Sequence, residues 1–344
     1  MYDSGDDDAQ PKNPVVNGAV LSWLNHLSSG PNAGHDSAMM MDRSGIIGKG
    51  QALPLDPMCP TGYYQGANCA TSSLGVVTEI PIAGGNRNIV TVGLSSAGVG
   101  TRTVIASASS VSKLVTNGPY VGWLGVTGSN LDVSFVPVSG GTPVTFGANY
   151  PAIASQQKSN PYMGMVGNAP IMVCQVGNSN TNIWAAYGEN LVTGVTELIS
   201  SVTNTHESSP VFNSSGLAVW SNLTDGNLYG NWLPQDLLSM PGESGSFGPM
   251  MSGAGNPSDF LVAHVDGKSL TNPSVSSDYA VFNLAPIQSG SSSFEMDGTM
   301  SGSPNIQDGI CGVSLSSVPE PGTMVLLAVG GLLVLLRIRH KNRR

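Results

Sequence analysis

From about Leu74 to Ala285 the chain alternates short apolar or β-branched segments with Gly, Asn, Ser and Asp. The apolar positions recur with the period of two that sends successive side chains to opposite faces of a strand. Strands are predicted over 75–82, 88–94, 103–108, 120–126, 131–138, 171–176, 182–187, 217–221, 227–229, 260–265 and 279–283. Few windows hold a helical period, and 190–201 is ambiguous, richer in Val and Thr than a helix prefers. Residues 1–50 read as poorly ordered, with a short helix around 18–28 carried by Val20, Leu21, Trp23, Leu24 and Leu27. Residues 286–317 are rich in Ser and Gly and read as a stalk. The pattern changes once more at Met324 to Leu336, an unbroken apolar run. The expected organisation is an all-β body over 51–285, the stalk, and a tail over 318–344 with a membrane helix at 323–338.

The body carries a weak internal repeat. Val121-Gly-Trp-Leu-Gly-Val, Ile171-Met-Val-Cys-Gln-Val and Leu217-Ala-Val-Trp-Ser are each an apolar strand followed by a Gly/Asn/Asp turn, and Phe260-Leu-Val-Ala-His-Val is a candidate fourth copy. Their starts drift around a period of about 45, which suits one four-stranded blade per repeat. Thr78-Glu-Ile-Pro-Ile-Ala-Gly-Gly and Ser134-Phe-Val-Pro-Val-Ser-Gly-Gly share a second pattern. The stretch from Ser209-Pro-Val-Phe through Ser215-Gly, Leu217-Ala-Val-Trp and Asp225-Gly to Leu228-Tyr resembles the blade motif of TolB-like propellers, with Ser-Gly where that family has Asp-Gly. The resemblance implies a β-propeller-like body; a β-sandwich with recurring turns is the alternative. Both bury Trp123, Trp184 and Trp220.

The tail is more specific. Pro319, Glu320 and Pro321 stand just before the apolar run, and Arg337, Arg339, Lys341, Arg343 and Arg344 close the chain. This order resembles the PEP-CTERM sorting signal, which implies handling by an exosortase-type membrane protease. The thirteen residues of the run would rise roughly 20 Å as a helix, short of a hydrocarbon core of about 30 Å, with snorkelling arginines to extend the reach. The basic cluster is expected to stay cytoplasmic, leaving everything upstream across the membrane. The two prolines enforce an extended entry that a protease can bind as a strand.

Composition fits export. Charged residues make up 10% of the chain and glycines number 44. The net charge is −9; setting aside the five basic residues of the tail leaves eight against 22 acidic ones, a net −14 on the rest. So acidic a body argues against nucleic acid and anionic membrane surfaces as partners. The opening Met-Tyr-Asp-Ser-Gly-Asp-Asp-Asp lacks a signal-peptide pattern, and the expectation is a start truncated relative to the exported protein. Of the four cysteines, Cys59 and Cys69 are close enough to be a disulfide pair in an oxidising compartment, whereas Cys174 lies in an apolar run and reads as a buried small hydrophobe.

Candidate chemistry is thin. Gly242-Glu-Ser-Gly-Ser resembles the nucleophile loop of trypsin-like serine proteases and would make Ser244 a nucleophile, but Glu243 and Phe247 depart from that pattern and no upstream His and Asp context accompanies it. His206 beside Glu207, and His264 near Asp266, read as turn histidines. Asp6 to Asp8 read as a solvated acidic run. Asp225, Asp266 and Asp278 are candidates for loop calcium but lack a spaced ladder of ligands. No metal site and no cofactor is expected, calcium being unsupported. The expected protein is an envelope protein, membrane-anchored before processing and then at the cell surface or in the extracellular matrix. Its body would be a non-catalytic module binding polysaccharide or matrix protein; the alternative is an extracellular hydrolase, either a trypsin-like protease or a polysaccharide-acting enzyme.

Overall fold

The computed structural model describes residues 9–17, 20–27, 36–42, 53–54, 69–72, 75–81, 85–95, 98–127, 130–200, 205–241, 259–265, 268–276, 279–286 and 309–315. Among them, six antiparallel sheets follow one another along the chain, each with its strands in sequence order. The first holds β1 (Ala9–Asn17), β2 (Val20–Leu27), β3 (Asp36–Asp42) and β4 (Leu53–Pro54); the second β5 (Cys69–Ser72), β6 (Gly75–Pro81), β7 (Arg87–Ser95) and β8 (Gly98–Ala108). The third holds β9 (Lys113–Thr116), β10 (Tyr120–Thr127), β11 (Asn130–Pro137) and β12 (Val144–Thr145), and the fourth β13 (Gln157–Val166), β14 (Ala169–Asn178), β15 (Ile183–Asn190) and β16 (Thr196–Leu198). The fifth holds β17 (Glu207–Phe212), β18 (Leu217–Asn222), β19 (Leu228–Trp232) and β20 (Phe260–Ala263), and the sixth β21 (Lys268–Val275), β22 (Tyr279–Pro286) and β23 (Gly309–Ser314). Two single-turn helices, α1 (Pro151–Ala154) and α2 (Gln235–Leu238), complete the described elements.

Every strand expected from alternation is present. The ambiguous stretch 190–201 resolves into a turn and β16. Other expectations need correction. The helix at 18–28 is instead strand β2, paired on both sides with β1 and β3. Two ladders satisfy its backbone groups together, which a lone amphipathic turn cannot match. The body therefore reaches outside 51–285 at both ends. At its C-terminal end, residues 309–314 of the expected stalk pair with β22 as β23, from Leu284↔Gly309 to Tyr279↔Ser314. The repeat also holds only in part. Val121, Ile171 and Leu217 all lie on second strands, but Phe260 begins β20, the last strand of its sheet. Thr78 falls on a second strand and Ser134 on a third, so their likeness is not a blade repeat.

A different repeat marks the first strands. Asn160-Pro161, Ser209-Pro210 and Asn272-Pro273 each put a non-glycine residue in the left-handed region, at φ 46°, 53° and 51°. In β17 the pairing slips by one residue between Ser208 and Val211, and in β21 between Thr271 and Ser274. A slip between Lys12 and Val15 in β1 spans Asn13-Pro14 in the same way. Each is a β-bulge, one extra residue on one strand of the pair. Pro suits the site because it has no N–H to leave unpaired. Pro161, Pro210 and Pro273 are buried.

The chain divides into two compact units, Met1–Met165 with Met172–Thr181, and Val166–Ile171 with Asn182–Arg344. In the first, the second and third sheets share a core of Val77, Ile89, Ile105, Leu114, Val121, Trp123 and Val136. In the second unit the fifth and sixth sheets share one built from Leu217, Val219, Leu228, Leu270, Phe282, Leu284 and Leu315. Burying each such side chain contributes about 1.5–3 kcal/mol.

Candidate functional site

A buried polar cluster lies in the second unit, around the start of β17. Residues 205–206 bind strands on both sides through the backbone. The Trp184 N–H donates to the Thr205 carbonyl at 2.9 Å, and the Leu223 N–H donates to the His206 carbonyl at 2.7 Å. The His206 N–H donates to Thr224 Oγ1 at 3.0 Å. Trp184 and His206 form a parallel bridge, and their rings stack with centroids 6.2 Å apart. The next residue, Glu207, is 1% exposed. Its Oε2 accepts the Ala186 N–H at 3.0 Å and its Oε1 the Thr205 hydroxyl at 3.4 Å. Ser200 also bonds to this carboxyl group, and its Oγ shares the Ala186 N–H at 3.2 Å.

Burial raises the Glu207 pKa to about 7, and the negative charge of nearby Asp259 adds to it; hydrogen bonds from Ser200, Ala186 and Thr205 oppose the rise. Asp259 accepts from Asn231 Nδ2 at 3.2 Å, and the same amide reaches the Ile199 carbonyl at 3.1 Å. Burial lowers the pKa of His206, which favours the neutral ring. Glu207 thus holds or releases a proton near neutral pH. Closed off from solvent, it clamps neighbouring strands.

Two further polar groups are structural in the same sense. In the first unit Lys158 is 0% exposed. Its ammonium donates to Asp132 Oδ1 at 3.0 Å and to the carbonyls of Ala154 and Gln156 at 3.2 and 3.1 Å, which accounts for its three N–H bonds. In the second unit, the turn between β18 and β19 carries an exposed polar group. Asp225 accepts the Asn227 N–H at 3.0 Å and the Tyr229 hydroxyl at 2.7 Å, and His264 Nδ1 meets Asn227 Oδ1. The hydrogen bond to Asp225 is the main cause that raises the Tyr229 pKa.

The structure places the sequence candidates as follows. Asp225 is a turn residue that holds its own backbone, as turn chemistry expects. Cys174 is fully buried, and Trp123, Trp184 and Trp220 are nearly so. Ser244, Cys59, Asp266, Asp278, Pro319, Glu320, Pro321 and the basic residues Arg337, Arg339, Lys341, Arg343 and Arg344 lie outside the described residues. So does the expected helix at 323–338; among the described residues no helix is long and apolar enough to cross a membrane. No cluster of three metal-ligating side chains occurs among the described residues. Sequence reasoning noticed the pair His206 and Glu207 but missed the clamp. The signal was a Glu inside a stretch that ends in Val211-Phe212, where a solvated charge is out of place.

Residues 317–341 match the PEP-CTERM protein-sorting motif. No curated protein matches the chain. Among solved structures it is similar to the β-propeller domain of the Trilobed protease from Pyrococcus furiosus, at 8% identity and a TM-score of 0.50, covering 81% of this chain and 78% of that one. It is similar to a prolyl endopeptidase at 12% identity and a TM-score of 0.51, spanning 39% of that chain. TolB from Acinetobacter baumannii also aligns, at 8% identity, a TM-score of 0.44, and coverage of 78% of this chain and 61% of that one. Identities this low speak to fold alone. The chain joins an all-β body of the β-propeller kind to a C-terminal PEP-CTERM protein-sorting motif.

Proposed function

We propose that this is an exported envelope protein whose tail is recognised at Pro319-Glu320-Pro321 and processed by an exosortase-type membrane protease. Before processing, the apolar run anchors the chain and the basic cluster holds it on the cytoplasmic side. Afterwards the body is displayed at the surface or passed to the extracellular matrix as a non-catalytic binding or structural module. The observation that carries this reading is the motif match over 317–341, with triplet, apolar run and basic cluster in order. The acidic, charge-poor body supports it. So do Glu207, Asp225 and Lys158, whose side chains hold strands and turns.

The test is the intact mass of the mature protein from membrane and extracellular fractions. A product ending near Pro319 outside the membrane supports the reading; a membrane product retaining Arg344 overturns it. A second reading, an extracellular hydrolase with Ser244 as nucleophile, is favoured by the Gly242-Glu-Ser-Gly-Ser likeness alone. Covalent labelling of Ser244 by a fluorophosphonate on the folded protein would establish it, and a clean negative would end it.

A further inference from the structure

The last strand of the body and the sorting motif are almost contiguous. β23 ends at Ser314, and Leu315 is 5% exposed in the core shared by the fifth and sixth sheets, beside Leu270, Phe282 and Leu284. The motif match begins at residue 317 and Pro319 stands four positions after Leu315. Four residues span at most about 14 Å when fully extended. Only Ser316, Ser317 and Val318 separate a buried core side chain from the triplet. A protease that binds the chain ahead of Pro319 as an extended strand needs backbone free on both edges and room for its own walls. With Leu315 seated, Pro319 can stand no further than those roughly 14 Å from the sixth sheet.

β23 is also suited to leaving. Among the described residues it has a single partner, β22, in a sheet of three strands where each of the others has four. Peeling it breaks one ladder and withdraws Leu315.

We infer that β23 is a latch: the tail is processed when β23 and Leu315 are off the sheet, and docking of β23 afterwards closes the body. The inference rests on the sorting reading. It makes processing compete with the last step of folding, so that delivery and completion of the core are coupled.

The test uses the full chain in an exporting cell, with release of the tail followed by pulse-chase and intact mass. Val281 and Gly312 lie directly opposite across β22 and β23. Such pairs bring Cβ atoms to about 5 Å, near what a disulfide spans. A Cβ at Gly312 meets only the Ala280 carbonyl at 3.5 Å and Val281 at 3.7 Å, ordinary contact. The oxidised Val281→Cys/Gly312→Cys protein should keep its tail and stay in the membrane, while either single variant is processed like the wild type. A spacer of about twelve Gly and Ser residues after Ser316, reaching roughly 20 Å, should restore processing of the locked protein. Leu315→Ala, which loosens the latch, should be processed several-fold faster. Wild-type processing of the locked protein without a spacer overturns the latch. So does a locked protein that the spacer fails to rescue, or an unchanged rate for Leu315→Ala. Alanine at Pro319, Glu320 and Pro321 tests the underlying reading separately: its normal processing would overturn sorting itself, whatever the locked protein does.

Discussion

Glu207 Oε2 accepts the backbone N–H of Ala186 at 3.0 Å, two residues beyond the Trp184–His206 bridge. A carboxyl group thereby supplies the rung that would come next in the parallel backbone ladder. Main chain and carboxyl together thus join the fourth sheet to the fifth.

This clamp makes stability depend on pH with a definite sign. Folding raises the Glu207 pKa from an ordinary 4.5 to about 7, so the folded state binds the proton more tightly. The stabilisation is complete below pH 4.5 and is lost as pH rises through about 7. The gap between the two values corresponds to about 3 kcal/mol. Glu207→Gln, which mimics the protonated acid, should match the wild type at pH 4.5 and exceed it increasingly up to pH 8. Urea unfolding across that range checks this; a difference that shrinks with pH would contradict it.

Lys158 tests the buried ion pair in the first unit. Asp132→Leu leaves the ammonium buried with only two carbonyl partners and should cost roughly 3–5 kcal/mol. Adding Lys158→Met removes the stranded charge and should recover most of that loss. A double variant less stable than Asp132→Leu alone would show that the ammonium contributes mainly through its carbonyl bonds.

Gly226 and Gly85 share a positive φ, 79° and 83°, but differ in surroundings. A Cβ on Gly226 would lie 2.9 Å from the Lys268 carbonyl oxygen, while one on Gly85 meets nothing within 4 Å. Gly85→Ala should cost about 1–2 kcal/mol of left-handed strain, and Gly226→Ala clearly more, since the obstacle is backbone. The Gly226 carbonyl also accepts the Leu270 N–H at 2.8 Å, so the shift needed to relieve the clash would disturb the start of β21. Thermal melts of the two variants side by side decide it.

The bulges give a third comparison. Asn272, exposed at φ 51°, precedes a buried proline. Asn272→Val places a β-branched side chain in the left-handed region and should cost about 2 kcal/mol, whereas Asn272→Asp should stay within about 0.5 kcal/mol. Equal effects of the two would mean that strain does not set the residue type here.

The strands visible in the sequence are those with an unbroken apolar run, such as β10 and β18, the latter buried along its whole length. The first strands were harder for a physical reason seen in β13, β17 and β21. Buried positions fall at Lys158 and Pro161, at Glu207 and Pro210, and at Leu270 and Pro273, three apart in each strand. One extra residue inverts the phase of a period of two, so a search for alternation passes over the strand. The recurring Asn-Pro or Ser-Pro step was the available signal.

By itself the sequence determined what is local: the second strands, the Asn and Asp turns, the burial of Trp123, Trp184 and Trp220, and the sorting motif at 317–341. Tertiary structure decided which strands pair and what the misplaced charges are for. Whether a lone Lys158 or Glu207 is tolerable depends on partners 26 residues back at Asp132 and 21 residues back at Ala186, and no local pattern encodes such a partner. It also decided that the Ser/Gly-rich segment ends in a strand. β23 is held by the ladder to β22 and by the seating of Leu315 among residues 31 to 98 positions earlier. Only the folded sheet brings the closing of the core to within four residues of the sorting motif.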